Sequence, residues 1–367
     1  MSKKILIVQR FYYSFREGFF EYLSDIKLDF KLINATSSSG RVKVHDIAKQ
    51  KTFYEKIFYF LIGENYVIFP FLFFSLVRMN PGIIVTEGGK NTINNLQVLL
   101  YCKFFKKNYI IWDLGKGYAD FGHSLQRRIY MRIYRFLLKH SLYIYGYNSQ
   151  SKKYFKGLGI DESKLIILNN TIDTRKIKSI KSDSFCEIPI ELRKQSEVGY
   201  TFLIFVGTLL PSKNIESMAE LLRMLGEKYY LIIVGDGKSK YKSELEAIFE
   251  GTNHIFVGYK KLDQLQPYYQ LANFSILPGL GGLSINQSMA FGVPVICNSA
   301  DGAEKDLVIE GETGYIYKDL FDAYNYIFSK TLDDWNEMGR KSESFIFSNH
   351  SVESMMNKFI HYTNIAS

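Results

Sequence analysis

The stretch LPGLGGLSINQSMAFGVPVI, residues 277–296, decides the fold. An apolar run stops at Pro278, three glycines follow (Gly279, Gly281 and Gly282), a helix-compatible segment opens near Leu283 or Ser284, and a second apolar run, PVI, closes the unit. A strand that ends in glycines and feeds a helix is a βα junction of a parallel sheet. The same grammar recurs upstream. TFLIFVG (201–207) leads into Thr208, YYLIIVG (229–235) ends in Val234-Gly235-Asp236-Gly237, and HIFVG (254–258) delivers Gly258-Tyr259; downstream lies TGYIY (313–317). In the first half the corresponding runs are KILIV (4–8), DFKLINA (29–35), GIIVTE (82–87), NYIIW (108–112), LYIYGYN (142–148) and KLIILNN (164–170). Unbroken Ile/Leu/Val runs suit parallel strands covered on both faces, and the helix-length segments between them supply the crossovers. The expected class is therefore α/β, two doubly wound Rossmann-like domains facing across a cleft. The rhythm breaks over residues 176–200, which places the first domain at 1–180, a linker at 181–199, the second domain at 200–350 and a terminal helix at 351–367.

A chain of 367 residues with 47% apolar and 23% charged residues has material for two cores, and it excludes a disordered tail protein or a coiled coil. Cys102, Cys186 and Cys297 are too widely spaced for a disulfide framework or a CxxC site, which suits a reducing cytoplasm. The net charge of +9 is uneven. Residues 1–180 carry 29 Lys and Arg against 13 Asp and Glu, leaving 17 against 24 for the remainder. A basic first domain attracts polyanions, and without a zinc-finger, RNP or helix-turn-helix pattern nucleic acid is not the expected one. The run ILIV at the amino terminus is too short for a signal peptide and reads as a strand. Residues 57–77 have the length of a membrane span but carry Gly63, Glu64, Asn65 and Pro70, so the expectation is a pair of buried or half-buried helical segments or a surface resting on lipid. Arg127, Arg128, Arg132, Arg135 and Lys139 recur at helical spacing between Ile129, Ile133, Phe136 and Leu137, a basic amphipathic helix suited to an anionic membrane surface.

Chemistry belongs in the loops after the strands of the second half. Gly207 ends the first strand, and Lys213 stands before a helix expected from about Ile215, an ammonium near a positive helix end. Gly235, Gly258 and Gly281-Gly282 end the following strands, and glycines there bare amides that can hold a diphosphate. Three such loops in succession point to a nucleotide.

The ordered series VGTLLPSKN, VGDG, FVGY, ILPGLGGLSINQSMAFGVPVI and GETGYIY, residues 202–317, resembles the donor domain of retaining GT-B glycosyltransferases, the large family four. The first half is more loosely similar, through VTEGGKN, IIWDLGKG, YNSQSKKYF and LIILNNTIDT, to the acceptor domain of members that build bacterial capsule and O-antigen lipopolysaccharide. The resemblance implies a sugar-transferring enzyme of the hexosyltransferase type, a UDP- or GDP-linked sugar as donor, no resident cofactor or metal, and a polyprenyl-diphosphate-linked saccharide as acceptor. It also implies a cytoplasmic protein peripheral to the inner face of the cytoplasmic membrane, and a terminal helix, 351–367, that crosses back to the first domain. By resemblance, Gly207, Thr208, Lys213, Gly235, Gly258, Tyr259, Gly281, Gly282, Leu283, Ser284 and Gln287 bind the donor, with Lys213 catalytic as the partner of the leaving phosphate. Two departures stand out: Thr208 replaces the family's arginine, and Gly279 and Gln287 replace its two glutamates.

In the first half the candidate loops are residues 10–18, 87–91 and 113–118. Asp113, directly after a strand, is a candidate to orient a substrate hydroxyl, or alternatively a turn or N-cap aspartate. Arg16, Gly18, Lys90 and Lys116 are the candidate acceptor residues; His123 reads as a surface residue. Two other classes stay open: a GT-B-like nucleotide-sugar epimerase, and a catalytically silent nucleotide-binding subunit.

Overall fold

The computed structural model describes residues 4–13, 16–35, 52–63, 66–115, 125–182, 187, 189–300 and 302–366. The chain divides into two compact units, residues 1–170 with 355–367, and residues 171–354.

The first unit contains β1 (Ile5–Phe11), α1 (Glu17–Asp25), β2 (Phe30–Ala35), β3 (Phe60–Ile62), β4 (Tyr66–Ile68), α2 (Leu72–Met79) and β5 (Ile83–Glu87). It continues with α3 (Thr92–Phe105), β6 (Asn108–Asp113), α4 (Leu125–His140), β7 (Tyr143–Gly146), α5 (Ser149–Gly157) and β8 (Leu165–Ile167). Six strands form a parallel sheet in the order β2-β1-β5-β6-β7-β8. Its apolar side chains, among them Leu6, Val8, Ile84, Ile111 and Ile144, are buried against Val98, Tyr134 and Leu137 of the covering helices. The unit is closed by the end of the chain: Phe359 packs on Phe19, Trp112 and Tyr145, and the Tyr145 hydroxyl meets Thr363 at 2.9 Å.

The second unit begins with α6 (Thr174–Ser182) and α7 (Arg193–Val198) and proceeds through β9 (Thr201–Val206), α8 (Ser217–Leu225), β10 (Tyr229–Val234), α9 (Ser239–Ile248), β11 (His254–Gly258) and α10 (Gln266–Leu271). Then come β12 (Phe274–Leu277), α11 (Leu283–Ala290), β13 (Val295–Asn298), α12 (Glu304–Leu307), β14 (Gly314–Tyr317), α13 (Leu320–Phe328) and α14 (Leu332–Asn349). The sheet is again parallel, in the order β11-β10-β9-β12-β13-β14. The last helix, α15 (Val352–Ala366), has its residues from Met355 onward in the first unit.

All twelve apolar runs read from the sequence are strands of these two sheets, and the class is α/β with two doubly wound parallel sheets, as expected. Three expectations are corrected. The division falls at Asn170/Thr171, not at residue 180, because α6 packs within the second unit: Ile177 lies in its core. The expected linker includes a helix, α7, whose neighbour Leu192 is also buried there. Residues 57–77 are not two helical segments. Their first part is an antiparallel hairpin, β3 with β4, and among the described residues of the stretch helix begins only at Leu72, in α2. Gly63 supplies the turn at φ +58°, and β-branched and aromatic residues on either side favour the extended state.

Candidate functional site

Each sheet has one place where the strand order reverses, and ligands of open parallel sheets bind outside the carboxyl ends there. In the second unit this place lies between β9 and β12. Backbone pairing runs on past the strands: Gly207 N donates to Val234 O at 3.0 Å, Leu209 N to Asp236 O at 2.9 Å, and Gly235 N to Gly258 O at 2.9 Å. These loops lie so close that only glycine fits two of the positions. A Cβ on Gly235 would stand 1.8 Å from the Gly207 oxygen, and one on Gly237 2.4 Å from the Leu209 oxygen. The glycines read as bare amides for a ligand therefore also let neighbouring loops touch.

Lys213 lies in a 3-10 turn, Pro211–Lys213, and α8 starts only at Ser217, two residues later than expected. Its ammonium is consequently held by another partner: Nζ donates to the carbonyl oxygen of Leu280, and Leu280 N donates back to Ser212 O at 3.2 Å. The lysine turn and the glycine loop are thus latched together beside the start of α11, where Gly282 at φ +55° precedes Leu283 and Ser284. Gly279 sits against the same turn. A Cβ there would be 2.5 Å from Lys213 C, 2.6 Å from Ser212 O and 2.7 Å from Lys213 Cα. Thr208 is exposed beside Gly207, and Tyr259 is exposed after Gly258, which has φ +72°. Gln287, half-buried on α11, lies 3.5 Å from the hydroxyl of Tyr269, which stacks on Phe291. The structure brings together Gly207, Lys213, Gly235, Gly258, Gly281, Gly282, Leu283 and Ser284 on one sheet edge, with Gln287 one helical turn beyond Leu283.

The sequence reading overlooked Glu304. It is buried, and its carboxylate accepts from Ala300 N at 3.0 Å and Gly302 N at 2.9 Å, fixing the loop after β13.

In the first unit the order reverses between β1 and β5, and an ion pair closes that point. Arg10 Nη2 lies 2.6 Å from Glu87 Oε1, Arg10 N donates to Glu87 Oε2 at 2.9 Å, and the Tyr13 hydroxyl adds a contact at 3.2 Å. Burial pushes the Glu87 carboxyl up, but the charge and hydrogen bonds of Arg10 outweigh it, and the net direction is down. Beside it the Arg16 guanidinium lies 4.0 Å from the centre of the Trp112 ring and donates to the Tyr147 hydroxyl.

These contacts revise the acceptor residues. Arg16 is 2% exposed among aromatic rings, and Gly18 is buried in the first turn of α1, so the reading of 10–18 as an open loop is corrected. Tyr13 of this stretch, with Trp112 and Tyr147 from later strand ends, surrounds the arginine. Lys90 lies in a 3-10 turn with its ammonium 5.6 Å from the centre of the Tyr66 ring. Lys116 and His123 lie outside the described residues. Asp113 is buried: Oδ1 accepts from Gly115 N at 2.8 Å and Oδ2 from the Tyr134 hydroxyl at 2.7 Å. That is the turn role, not an aspartate open to substrate. Burial, reinforced by the nearby Glu87 charge, pushes Asp113 up to about 6 against those two hydrogen bonds. Gly88 makes room for it, since a Cβ there would lie 2.0 Å from Asp113 Oδ2.

Two parallel doubly wound sheets, with a glycine-lined edge on the second, place the chain in the α/β GT-B fold class. Residues 189–344, within the second unit, match the model of the family "Glycosyl transferases group 1". Among curated proteins, the chain is 27% identical over 190 residues to the lipopolysaccharide 1,2-N-acetylglucosaminetransferase of Salmonella typhimurium, covering 46% of this chain and 50% of that one. It is 32% identical over 127 residues to the GDP-mannose-dependent alpha-mannosyltransferase of Mycolicibacterium smegmatis, covering 34% and 32%. The chain thus spans half or less of the length of these relatives. Among solved structures, HepE of Anabaena in complex with UDP superposes with a TM-score of 0.74 over 98% of this chain and 99% of that one, at 15% identity.

Proposed function

We propose that the protein is a glycosyltransferase that moves a sugar from a nucleotide-diphosphate donor to a saccharide acceptor, with retention of anomeric configuration. The observation that carries this reading is the latch between Lys213 and Leu280 at the point where the second sheet reverses, beside the glycines that open α11. An ammonium has three N–H donors, so contact with a carbonyl is compatible with contact to a phosphate. The C1–phosphate bond breaks as the bond from the acceptor oxygen to C1 forms on the same face. The acceptor proton passes to the departing phosphate oxygen. Lys213, the amides of Gly282 and Leu283, and the positive end of α11 stabilise the charge that grows there, in the place a metal takes in other transferases. Gln287, held near Tyr269, meets the ribose hydroxyls, and Tyr259 borders the nucleotide.

The acceptor is a polyprenyl-diphosphate-linked saccharide at an anionic membrane, on the cytoplasmic face, in the synthesis of a bacterial surface polysaccharide. The basic first unit and the lipopolysaccharide transferase among the relatives support this reading. Asp113 positions the loop after β6 and does not touch the acceptor. Gly279 favours an enzyme that functions without the usual glutamate over a decayed site, because the backbone of the lysine turn occupies the volume that a side chain would need.

The test is a screen of UDP- and GDP-sugars for those that raise the melting temperature, followed by transfer assays with the stabilising donor. Stabilisation by one nucleotide class that is lost in Lys213→Ala supports the reading. Absence of any response to UDP or GDP sugars refutes it.

A further inference from the structure

Helix α3 is apolar on both faces: Val98, Leu99, Tyr101 and Cys102 are buried in the core of the first unit. Its polar side chains point into the first unit: Asn94 accepts from Phe69 N at 2.9 Å and donates to Val67 O at 2.8 Å, while Gln97 accepts from Phe73 N at 3.1 Å and donates to Phe69 O at 2.9 Å. Its outer face carries Ile93, Leu96, Leu100 and Phe104, at helical spacing and all exposed, Phe104 at 71%. A helix that is apolar on both faces is expected to be covered on both. The neighbouring elements continue the surface. Phe73 of α2 lies 6.4 Å from the Phe104 ring, and Phe71, Phe74 and Val77 are exposed on the same short helix or at its cap. Phe71 meets Phe58, which meets Phe60 at 4.8 Å, and all three residues of β3, Phe60, Leu61 and Ile62, are exposed. A strand with both faces apolar and uncovered gains nothing from water, and a two-stranded hairpin is marginal by itself.

Charge identifies what covers this surface. Helices α2, α3 and α4 contain Arg78, Lys103, Arg127, Arg128, Arg132, Arg135 and Lys139, and no Asp or Glu. Lys103 joins the apolar surface to α4, with its ammonium 5.6 Å from the centre of the Phe136 ring. A second copy of the chain, pairing this face with itself, would bring like cations together. An anionic bilayer offers acyl chains to the apolar residues and phosphates to the cations beside them.

We propose that the β3–β4 hairpin, the exposed edge of α2 and the outer face of α3 insert into the interfacial region of an anionic membrane, with the cations of α4 engaging headgroups around them. This deepens the membrane-bound reading given above and rests on it for its biological setting, but it names a different main contact: apolar insertion, not the basic helix alone. Among the described residues no helix is long and apolar enough to cross a membrane, so the mode is shallow.

The difference shows in salt. Raising ionic strength from about 0.1 M to about 1 M shortens the Debye length from roughly 10 to 3 Å and removes most of the headgroup attraction, but not apolar burial. The full chain is sedimented with phosphatidylcholine vesicles with and without phosphatidylglycerol, at both salt concentrations. Expected is binding favoured by phosphatidylglycerol, with a substantial fraction retained at high salt. Phe60→Ser/Phe74→Ser/Phe104→Ser should lower that retained fraction roughly tenfold or more, while Arg128→Glu/Arg132→Glu/Arg135→Glu should remove the preference for phosphatidylglycerol and leave a salt-resistant remainder. Loss of all wild-type binding at high salt overturns the proposal. So does a serine variant that binds as the parent does, or a dimer in solution that only the serine variant breaks. Thermal stabilisation by UDP-sugars, measured on the same samples, reports folding and donor binding separately. Its failure would count against the transferase reading and leave the vesicle result standing.

Discussion

Placing glutamate at position 279 supplies the residue that the family resemblance implies there, and the structure makes it harmful. The Cβ of any side chain there falls 2.5 to 2.7 Å from three backbone atoms of Ser212 and Lys213. None of these is the flexible end of a side chain, so relief requires the Pro211–Lys213 turn to retreat by roughly 0.5 to 1 Å, at a cost of about 1–3 kcal/mol, as for other overpacked sites. For a unit of this size each kcal/mol lowers the melting temperature by about 2–4 °C. Because that turn carries the Lys213 ammonium to Leu280, displacement should also weaken the donor site. Gly279→Ala separates the two causes, since it introduces the Cβ without a carboxylate. Melting temperature with and without the stabilising UDP- or GDP-sugar, together with turnover, is measured for both variants. Both should melt several degrees lower and respond less to donor. If Gly279→Glu melts as the parent and turns over faster, the packing argument fails and the native loop is a decayed glutamate site.

Lys213→Ala should lower turnover by about 2–4 kcal/mol of transition-state stabilisation, read from kcat/KM with the identified donor, and a loss within threefold would remove the lysine from the reaction. Gln287→Ala should act on donor affinity, by about 1–3 kcal/mol for the partners left unmet, with little change in kcat. Asp113 binds its proton more tightly folded than unfolded, so its ionisation destabilises the fold as pH rises from about 4 to 6; the penalty is absent below that window and complete above it. Asp113→Asn keeps an acceptor for Gly115 N and should flatten that part of the stability–pH curve, which equilibrium unfolding across the window would show. Glu87→Gln leaves Arg10 short of its partner and should cost about 3–5 kcal/mol, measured by denaturant midpoint at neutral pH; a change below 1 kcal/mol would mean that the pair is replaceable.

The strands of both sheets were legible because a buried parallel strand needs an unbroken apolar run, and several runs ended in glycine, as at Gly207, Gly235 and Gly258. The glycine loops were legible for a related reason: Gly235 and Gly237 must be glycine wherever neighbouring loops touch, whatever ligand is present. Residues 57–77 misled because a continuous apolar run has no period to separate strand from helix, and the hairpin is decided by Gly63 and by Asn94 and Gln97, which lie beyond it in sequence. The cluster of Arg10, Tyr13, Glu87, Arg16 and Tyr147 was not legible at all. Its members are scattered over more than a hundred residues, and only the β1–β5, β5–β6 and β6–β7 pairings bring their strand ends together. Glu304 escaped notice because a lone glutamate before a short helix carries no local signal of the amides it will hold.

Phe359 and Thr363, packed on Trp112 and Tyr145, set the order in which the chain can finish itself. The sheet they cover is made early in synthesis, but its cover emerges only after all of the second unit. Until then a ribosome-bound chain exposes the aromatic faces of Phe19, Trp112 and Tyr145. A fragment ending at residue 170 would keep them exposed permanently, so a soluble first unit is expected only if residues 355–366 are supplied, by fusion or as a separate peptide.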